Sequence, residues 1–302
     1  MKFVIVGYGI QGKKREKILG KSCVAIVDIK KFGKNTYKKI EQISLNKYDS
    51  VILCVPDKLK LNFINFCIKN KKNILVEKPL IFKDPKEIKI IEKNANKNKV
   101  LLSTAYNHRF EKSLIFLKTL VQKKKLGKIY NFKLQYLNGT AKNVFETWRD
   151  KNGGVVNDLT PHLLDIIFSI FGVAKIQQIN FINKKKFENK SFDHALISFN
   201  FKKIDFFIEV SYCNWKNTFE IVANGEKGSL KISSLQKWSD SKLSLYKRVL
   251  PSGVPIETLK KFRGKDNSFK DEIINFKKLI KEKKKTNLNN DYYINKFLNK
   301  LI

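Results

Sequence analysis

The stretch Met1-Lys-Phe-Val-Ile-Val-Gly-Tyr-Gly-Ile-Gln-Gly12 decides the fold. Its apolar run at residues 3–6 is rich in β-branched side chains and predicts a buried parallel strand. The next six residues, Gly7-Tyr8-Gly9-Ile10-Gln11-Gly12, fit the pattern G-x-G-x-x-G, and a helix is predicted directly after them. In this strand–turn–helix context the first glycine permits a tight turn, the second lets the backbone approach a pyrophosphate, and the third allows close helix–strand packing. The stretch therefore predicts a dinucleotide bound at the helix N-terminus by these six residues.

A second buried strand ends at Asp28, 16 residues after Gly12. This is close to the spacing at which a carboxylate binds the 2′-hydroxyl of the adenosine ribose. A carboxylate would repel a 2′-phosphate, which favours NAD over NADP, although Lys30 and Lys31 follow at once and are able to accept a phosphate. We therefore assign Asp28, Ile29 and Lys30 to the cofactor pocket and expect NAD.

Bulk composition is that of a soluble globular protein with room for two domains. The chain has 302 residues, of which 42% are hydrophobic and 29% charged. No apolar run is long enough to span a membrane, and the first strand lacks the layout of a signal peptide. The four cysteines show neither C-x-x-C nor metal-ligand spacing. We expect reduced thiols, no metal site and a cytoplasmic location.

The formal net charge of +35 raises the alternative of a nucleic-acid-binding module. The excess is mostly lysine, however, and is spread along the whole chain in predicted loops and solvated helix faces. The sequence shows no recognition helix, no stacking-aromatic motif and no basic tail. We therefore expect no nucleic-acid partner and no membrane partner, while the positive field would attract an anionic substrate.

Strands alternate with helices up to about residue 123, which predicts a doubly wound parallel sheet. After Gly127 a predicted helix is followed by several short strands, with turn signals at Asn224-Gly225 and Lys227-Gly228. This change predicts an antiparallel or mixed sheet, closed by helices at residues 268–283 and 288–301. The fold class is α/β, with a dinucleotide-binding domain at residues 1–123 and a second α/β domain at residues 124–302.

Glu77-Lys78-Pro79 ends another predicted parallel strand, at the sheet edge where ligands bind. A lysine at that edge is able to reach both the nicotinamide ribose and a substrate hydroxyl, and Pro79 fixes the turn after it. The alternative is a surface lysine in a chain full of them. Asn107 and Arg109, after the last strand of the first domain, are candidates for binding a polar substrate or cofactor, whereas the neighbouring His108 is expected to be packed rather than catalytic.

A third candidate segment runs from Gly153-Gly154 through Asp158 to His162. Thr160 is predicted to cap a helix, which places His162 in its first turn. A helix N-terminus lowers the pKa of a histidine and favours the neutral, proton-accepting form, while a nearby carboxylate opposes this and orients the ring. That balance suits a general base. The alternative is a capping acid beside a half-buried histidine.

Together, and in this order, the segments resemble the glucose–fructose oxidoreductase / inositol dehydrogenase / MocA-type (Gfo/Idh/MocA) family. The resemblance implies an N-terminal Rossmann domain and a C-terminal substrate-binding α/β domain. The mostly antiparallel open sheet of that second domain would mediate a homodimer or homotetramer. It also implies hydride transfer between NAD(P) and a hydroxyl or ketone carbon of a sugar, an inositol or a nucleotide-sugar. Many members carry a histidine where this chain has Lys60, four residues after Pro56.

The resemblance assigns residues to three roles. The catalytic residues are Lys78, Asp158 and His162. The cofactor residues beyond those already given are Val55, Pro56, Glu77, Lys78 and Asn107. The substrate residues are Lys78, Arg109, Trp148, Arg149 and His162, with packing under a loop as the alternative for Trp148.

Within the family we expect an enzyme that oxidises a nucleotide-sugar for surface-polysaccharide synthesis. This rests on Trp148-Arg149 and on a basic chain that would welcome a diphosphate. Oxidation of an inositol or a free sugar is the alternative. A non-catalytic regulator that senses NAD(P) is the alternative of another class, and it would have no need of Lys78, Asp158 and His162 together.

Overall fold

A computed structural model describes residues 1–30, 32–33, 35–151, 153–176 and 178–302. Its contacts form two compact units. The first unit consists of Met1–Asn107 and Ser268–Asn295. The second consists of His108–Asn267 and Lys296–Ile302.

The strands and helices alternate in the first part of the chain, and strands predominate in the second. The strands are β1 (Phe3–Val6), β2 (Cys23–Val27), β3 (Thr36–Tyr37), β4 (Ser50–Leu53), β5 (Asn73–Glu77), β6 (Leu102–Ala105), β7 (Ile129–Gly139), β8 (Ile179–Lys185), β9 (His194–Phe201), β10 (Ile204–Ser211), β11 (Cys213–Gly225), β12 (Gly228–Ser233), β13 (Ser241–Val249) and β14 (Gly253–Phe262). The helices are α1 (Ile10–Leu19), α2 (Asp57–Lys69), α3 (Lys86–Lys97), α4 (Lys112–Gln122), α5 (Ala141–Val144), α6 (Val155–Asp158), α7 (Thr160–Phe171), α8 (Ser268–Lys281) and α9 (Asn289–Leu298).

The described part of the first unit contains a six-stranded parallel sheet in the order β3-β2-β1-β4-β5-β6. Along β1, Val4 and Val6 belong to one apolar cluster and Phe3 and Ile5 to another. Both faces of the sheet are therefore covered, as parallel sheets require. The predicted doubly wound sheet is confirmed, and the carboxyl ends of β1, β2, β4 and β5 share the edge at which the candidate cofactor residues follow.

Helix α8 packs within the first unit although it lies near the end of the chain. Arg15 of α1 is fully buried and pairs with Glu77 at 2.7 Å and with Glu272 of α8 at 2.5 Å. Ile273 and Phe276 join the apolar cluster on the Phe3 face of the sheet. The contacts thus group residues 268–295 with the first unit and residues 108–123 with the second, whereas the sequence division had one boundary at 123/124.

The second unit is organised around an eight-stranded sheet, counted over the residues that the structure describes. Its order is β14-β13-β12-β11-β7-β10-β9-β8, and only the β7–β10 pair is parallel. The predicted mostly antiparallel sheet is confirmed. The apolar helix α7 packs on one face, with Phe168 against Phe201 and Phe171 against Phe132. The other face is open, so large apolar side chains lie exposed there.

Along the described residues, every helix is too short or too polar to cross a lipid bilayer. In the same part of the chain, no group of three or more His, Cys, Asp or Glu side chains is arranged to hold a metal ion. The four cysteines are all free thiols, of which Cys67 is buried and the others half-buried.

Candidate functional site

The turn between β1 and α1 is built on glycine for two different reasons. Gly7 has a φ of +89°, and a Cβ there would lie 2.5 Å from the carbonyl oxygen of Cys54. A Cβ on Gly12 would lie 2.2 Å from the carbonyl oxygen of Gly7. Around Gly9, by contrast, no heavy atom lies within 4 Å of an added Cβ, leaving out its chain neighbours and its own helix's backbone. Packing of the chain therefore excludes a side chain at Gly7 and Gly12, whereas the space beside Gly9 is open to a ligand.

Asp28 stands at the end of β2 and is tied to this turn. Its Oδ2 accepts a hydrogen bond from the Tyr8 amide at 2.7 Å, and its Oδ1 accepts one from the Lys30 amide at 2.9 Å. A carboxylate has about four acceptor sites, which leaves capacity for ribose hydroxyls. Ile10 and Ile29 are 78% and 87% exposed. Lys31 lies outside the described residues.

These features fit a dinucleotide. The first turn of α1 offers backbone N–H groups to a pyrophosphate, since helix N-terminal amides have no intrahelical acceptor. The open side of Gly9 lets the phosphates approach the backbone, and the exposed side chains of Ile10 and Ile29 offer apolar surface. Asp28 offers acceptors for the ribose.

Lys78 follows β5 at the same sheet edge and is half-buried. The backbone after it is held by Lys60, whose ammonium donates to the carbonyl oxygen of Pro79 at 2.6 Å and pairs with Asp57 at 2.7 Å. The Lys78–Pro79 peptide bond is cis. Lys60, the residue that departs from the family pattern, is thus a buried support of the turn that carries Lys78.

Two of the other predicted residues of the first unit, Glu77 and Asn107, have protein partners. The carboxylate of Glu77 accepts two hydrogen bonds from Arg15, at 3.0 and 2.7 Å. Asn107 is buried and donates its amide to the Ser268 hydroxyl at 2.9 Å. Val55 is half-buried and Pro56 exposed, immediately before α2. Cofactor contacts by Glu77, Asn107, Val55 and Pro56 stay predictions, and for Glu77 and Asn107 the structure shows a supporting role.

In the second unit, His162 is 6% exposed and lies in the first turn of α7. The helix begins one residue earlier than expected, because Thr160 is its first residue and Leu159 the N-cap, so the predicted Thr160 cap is wrong. The His162 ring lies 4.2 Å from that of His108 and 5.9 Å from that of Tyr136, between centroids. His162 thus packs against two aromatic rings, those of His108 and Tyr136.

Asp158 ends the short helix α6 just before His162. Its Oδ2 accepts the Tyr212 hydroxyl at 3.0 Å and lies 4.0 Å from Arg149. Burial, followed by the charge of Asp158, raises the pKa of Tyr212 well above its usual value, so the phenol stays a hydrogen-bond donor. The Arg149 guanidinium lies 5.7 Å from the ring of Trp148, which is 53% exposed. One strip of the second unit therefore brings together three candidate residues, Asp158, Arg149 and Trp148.

Arg109 has a buried partner. Its Nε donates to Oδ2 of Asp165 at 2.6 Å, and its Nη2 pairs with Oδ1 of the same carboxylate. Asp165 lies on α7, and its side chain is 2% exposed. This forked pair fixes the segment of His108 against α7. A substrate contact by Arg109 stays a prediction.

Both parts of the chain match one protein family. Residues 1–106 match the description "Oxidoreductase family, NAD-binding Rossmann fold", and residues 118–289 match "Oxidoreductase family, C-terminal alpha/beta domain". The chain belongs to the Gfo/Idh/MocA oxidoreductase family. Its first unit is accordingly an NAD-binding Rossmann domain.

Curated relatives match only in part. The scyllo-inositol 2-dehydrogenase (NADP(+)) of Bacillus subtilis is 27% identical over 139 residues, 45% of this chain and 38% of that protein. The glucose-6-phosphate 3-dehydrogenase of the same organism is 26% identical over 157 residues, 47% of this chain and 42% of that protein. The chain thus matches about two fifths of the length of each. A levoglucosan dehydrogenase solved with NADH and levoglucosan shares the fold, with a TM-score of 0.84 and 14% identity over 100% of this chain and 96% of that one.

This Gfo/Idh/MocA chain also places side chains near His162 that the sequence did not reveal. Tyr136 reaches the site from β7 and His108 from the segment before α4. The signal for Tyr136 is only the alternation of β7, which puts it on the buried face with Leu134. Tyr212 and Lys237 carry no local signal, because their partners are 54 and 101 residues away in sequence.

Glu111, the N-cap of α4, is another ionisable group that the motifs missed. It is 2% exposed, and its Oε2 has no hydrogen-bond partner within the described residues. Burial, and next the charge of Asp266, raise the pKa of Glu111 to about 7. The folded protein therefore holds this proton over a pH range in which the unfolded chain has lost it.

We expect Glu111→Gln to weaken the pH dependence of the free energy of unfolding. Because the folded pKa is raised, the stabilisation is complete below the unfolded pKa of about 4.3 and is lost as pH rises through about 7. Wild type should lose up to about 3 kcal/mol of unfolding free energy across that window, and the variant should keep it. Urea unfolding at pH 5 and pH 8 measures this. Glu146→Gln, at a 61% exposed position, is the control, and equal slopes for wild type and Glu111→Gln would contradict the assignment.

Proposed function

We propose that this chain is an NAD-dependent dehydrogenase that oxidises a hydroxyl carbon of a sugar, and that its substrate is a nucleotide-sugar used in surface-polysaccharide synthesis. The observation that carries the proposal is the placement of Asp158, held by Tyr212 at the end of α6, four residues before His162 in the first turn of α7. A candidate base and a fixed carboxylate are what oxidation of an alcohol requires of the protein.

Each proposed catalytic residue has one task. His162 accepts the proton of the substrate hydroxyl. Lys78 donates a hydrogen bond to the same oxygen and stabilises its developing negative charge. Asp158 orients Lys78 or His162. NAD, when bound, supplies the hydride acceptor.

The cofactor is proposed to bind along the first unit's turn. The backbone from Gly7 to Gly12 would hold the pyrophosphate, and Asp28 would bind the adenosine ribose through its remaining acceptor sites. NAD is preferred to NADP because the Asp28 carboxylate repels a 2′-phosphate. The Bacillus subtilis inositol dehydrogenase, named for NADP(+), makes this preference worth measuring directly.

A nucleotide-sugar is supported by Arg149 beside Trp148. The pair offers a cation and a half-exposed aromatic face next to Asp158, which suits a charged, ring-containing substrate. The second candidate is an inositol, a free sugar or a sugar phosphate. It is favoured by the relatives, which are named for scyllo-inositol and glucose 6-phosphate.

The deciding experiment is nicotinamide absorbance with NAD and then NADP, against UDP-sugars, free aldoses, glucose 6-phosphate and inositols. Reduction with UDP-sugars supports the proposal as stated. Reduction only with inositols, aldoses or the sugar phosphate would replace the nucleotide-sugar by the second candidate. Tight NADH binding with no turnover on any class would favour a non-catalytic sensor.

We further propose that the protein forms a homodimer or homotetramer through the open face of the second unit's sheet. Phe181 and Phe207 are 52% and 44% exposed there, around a depression of about 610 Å³. Burying such side chains against a second copy would be favourable. Sedimentation velocity over a range of concentrations tests this. The free thiols support a cytoplasmic location.

A further inference from the structure

Lys237, which lies outside every motif described above, contacts Tyr136, one of the rings that pack against His162. Lys237 lies in the turn between β12 and β13, and its ammonium donates to the Tyr136 hydroxyl at 2.7 Å. The same ammonium lies 5.1 Å from the Tyr136 ring centroid and 4.6 Å from that of Trp238. Lys237 is exposed as a residue, but its ammonium is hydrogen-bonded to the tyrosine.

Tyr136 connects this charge to the candidate base. Its ring lies 5.9 Å from the His162 ring and 5.5 Å from the His108 ring, and these two histidines are 4.2 Å apart. Phe219 closes the group, 5.6 Å from Tyr136. The Lys237 ammonium is thus separated from His162 by a single aromatic ring. All of these residues belong to the second unit.

Three carboxylates act on the charge of Lys237. Desolvation lowers the pKa of Lys237, while the charges of Asp266, Glu111 and Asp158 raise it. On balance the pKa of Lys237 is lowered, and the three carboxylates limit that fall. Glu111, with its pKa raised to about 7, adds its negative charge only above neutrality.

Asp158, four residues before His162, has partners of its own. Asp158 is negative, but the Arg149 guanidinium lies 4.0 Å from its Oδ2. Tyr212 donates to Asp158 as a neutral phenol. His108 is a second titratable ring against His162. The ammonium of Lys237 is therefore positioned to influence which form the imidazole takes.

We propose that Lys237 is a positioning residue for His162: its ammonium holds the Tyr136 ring against the imidazole, and its charge favours the neutral imidazole that accepts a proton. The inference rests on the proposed function only in taking His162 as the base. The coupling between Lys237 and His162 is a property of the protein itself, so it is measurable without a substrate.

Histidine NMR tests the coupling, because the 302-residue sequence contains three histidines. In protein labelled with ¹⁵N-histidine, His108→Asn, His162→Asn and His194→Asn assign the three titration curves. Lys237→Met removes both charge and hydrogen bond, whereas Lys237→Gln removes the charge and keeps a donor for Tyr136. Lys237→Arg keeps the charge. Lys260→Met is the matched control, since the Lys260 ammonium also lies over an aromatic ring, 3.9 Å from the Phe116 centroid.

Loss of the charge should raise the titration midpoint of His162 by about 0.5 to 1 pH unit, the effect of one charge at about 10 Å in a protein. Lys237→Met and Lys237→Gln should both show the shift, and Lys237→Arg and Lys260→Met should not. Where a substrate is found, the acid limb of the pH–rate profile should move to higher pH in the same two variants. A merely structural lysine would lower stability and leave both midpoints in place.

An unchanged His162 midpoint in a folded Lys237→Gln or Lys237→Met protein would overturn the inference, as would an equal shift in Lys260→Met. Lys237→Gln keeps the test open if Lys237→Met does not fold. Failure of the proposed function has a different signature. It would show as no turnover on any substrate class by wild-type protein that binds NADH, whatever the histidine midpoints do.

Discussion

His162→Asn is expected to lower turnover by about 10² to 10⁴-fold while leaving NADH affinity within about twofold of wild type, since general bases contribute rate factors of this size. The imidazole is the proposed proton acceptor, and asparagine keeps a polar side chain of similar reach that does not accept a proton near neutrality. His162 belongs to the second unit, whereas the turn proposed to hold the cofactor belongs to the first. Steady-state rates on the best substrate and a fluorescence titration with NADH measure the two quantities.

His194→Asn is the matched control for this loss. His194 begins β9 and is half-buried, with its ring 5.8 Å from that of Phe187. The same chemical change there should leave turnover near the wild-type value. If His162→Asn kept more than about a tenth of the wild-type rate, His162 would not be the general base, and Lys78 would become the candidate.

The fold was predictable where one local pattern fixes one element. The glycine turn, its flanking strand and helix, and the buried strands β2, β4 and β5 all follow from short apolar runs with turn signals. β14 went unpredicted for a physical reason. Every residue from Gly253 to Lys261 is exposed, so the strand shows no contrast between a buried and a solvated face.

The placement of α8 was beyond the sequence for another reason. Its helical period is clear, but the contact that fixes it joins Glu272 to Arg15, 257 residues earlier. Nothing in the sequence distinguishes the fully buried Arg15 from the other lysines and arginines, which number 62 in all. Long-range ion pairs of this kind are chosen by the tertiary structure rather than by local propensity.

Some residues of the candidate site are likewise predictable from one local segment, whereas others are brought together only by the fold. Asp158 and His162 are four residues apart, so one segment predicts that they occur together. Tyr136 lies within β7 and Lys237 in the turn between β12 and β13, and only the folded sheet brings them beside His162. Glu77 and Arg109, read from sequence as ligand-binding groups, have their charges committed to Arg15 and Asp165. A motif gives the positions of polar side chains, but the structure determines which of them are already engaged by the protein.

Substitutions of Gly9 and Gly12 distinguish what the cofactor requires of the turn from what the fold requires. Gly9 has a φ of −75° and a ψ of −159°, which any residue adopts, and no atom counted around its added Cβ lies within 4 Å. The free energy of unfolding of Gly9→Ala should therefore lie within about 1 kcal/mol of the wild-type value. Its NADH affinity should fall at least about tenfold, because the methyl group occupies the space through which the pyrophosphate approaches the backbone.

Gly12→Ala should show the opposite balance. Its Cβ would lie 2.2 Å from the Gly7 carbonyl oxygen, so helix α1 and the turn have to separate. We expect a loss of about 2 to 3 kcal/mol of unfolding free energy, the size of overpacking at a tight contact. Urea unfolding and NADH titration of both variants give the four values needed. Unaltered NADH binding by a stable Gly9→Ala protein would remove the pyrophosphate from this turn, whereas weak binding by Gly12→Ala alone would reflect only a displaced helix. The pair therefore distinguishes a glycine kept for a ligand from a glycine kept for the packing of a strand against a helix.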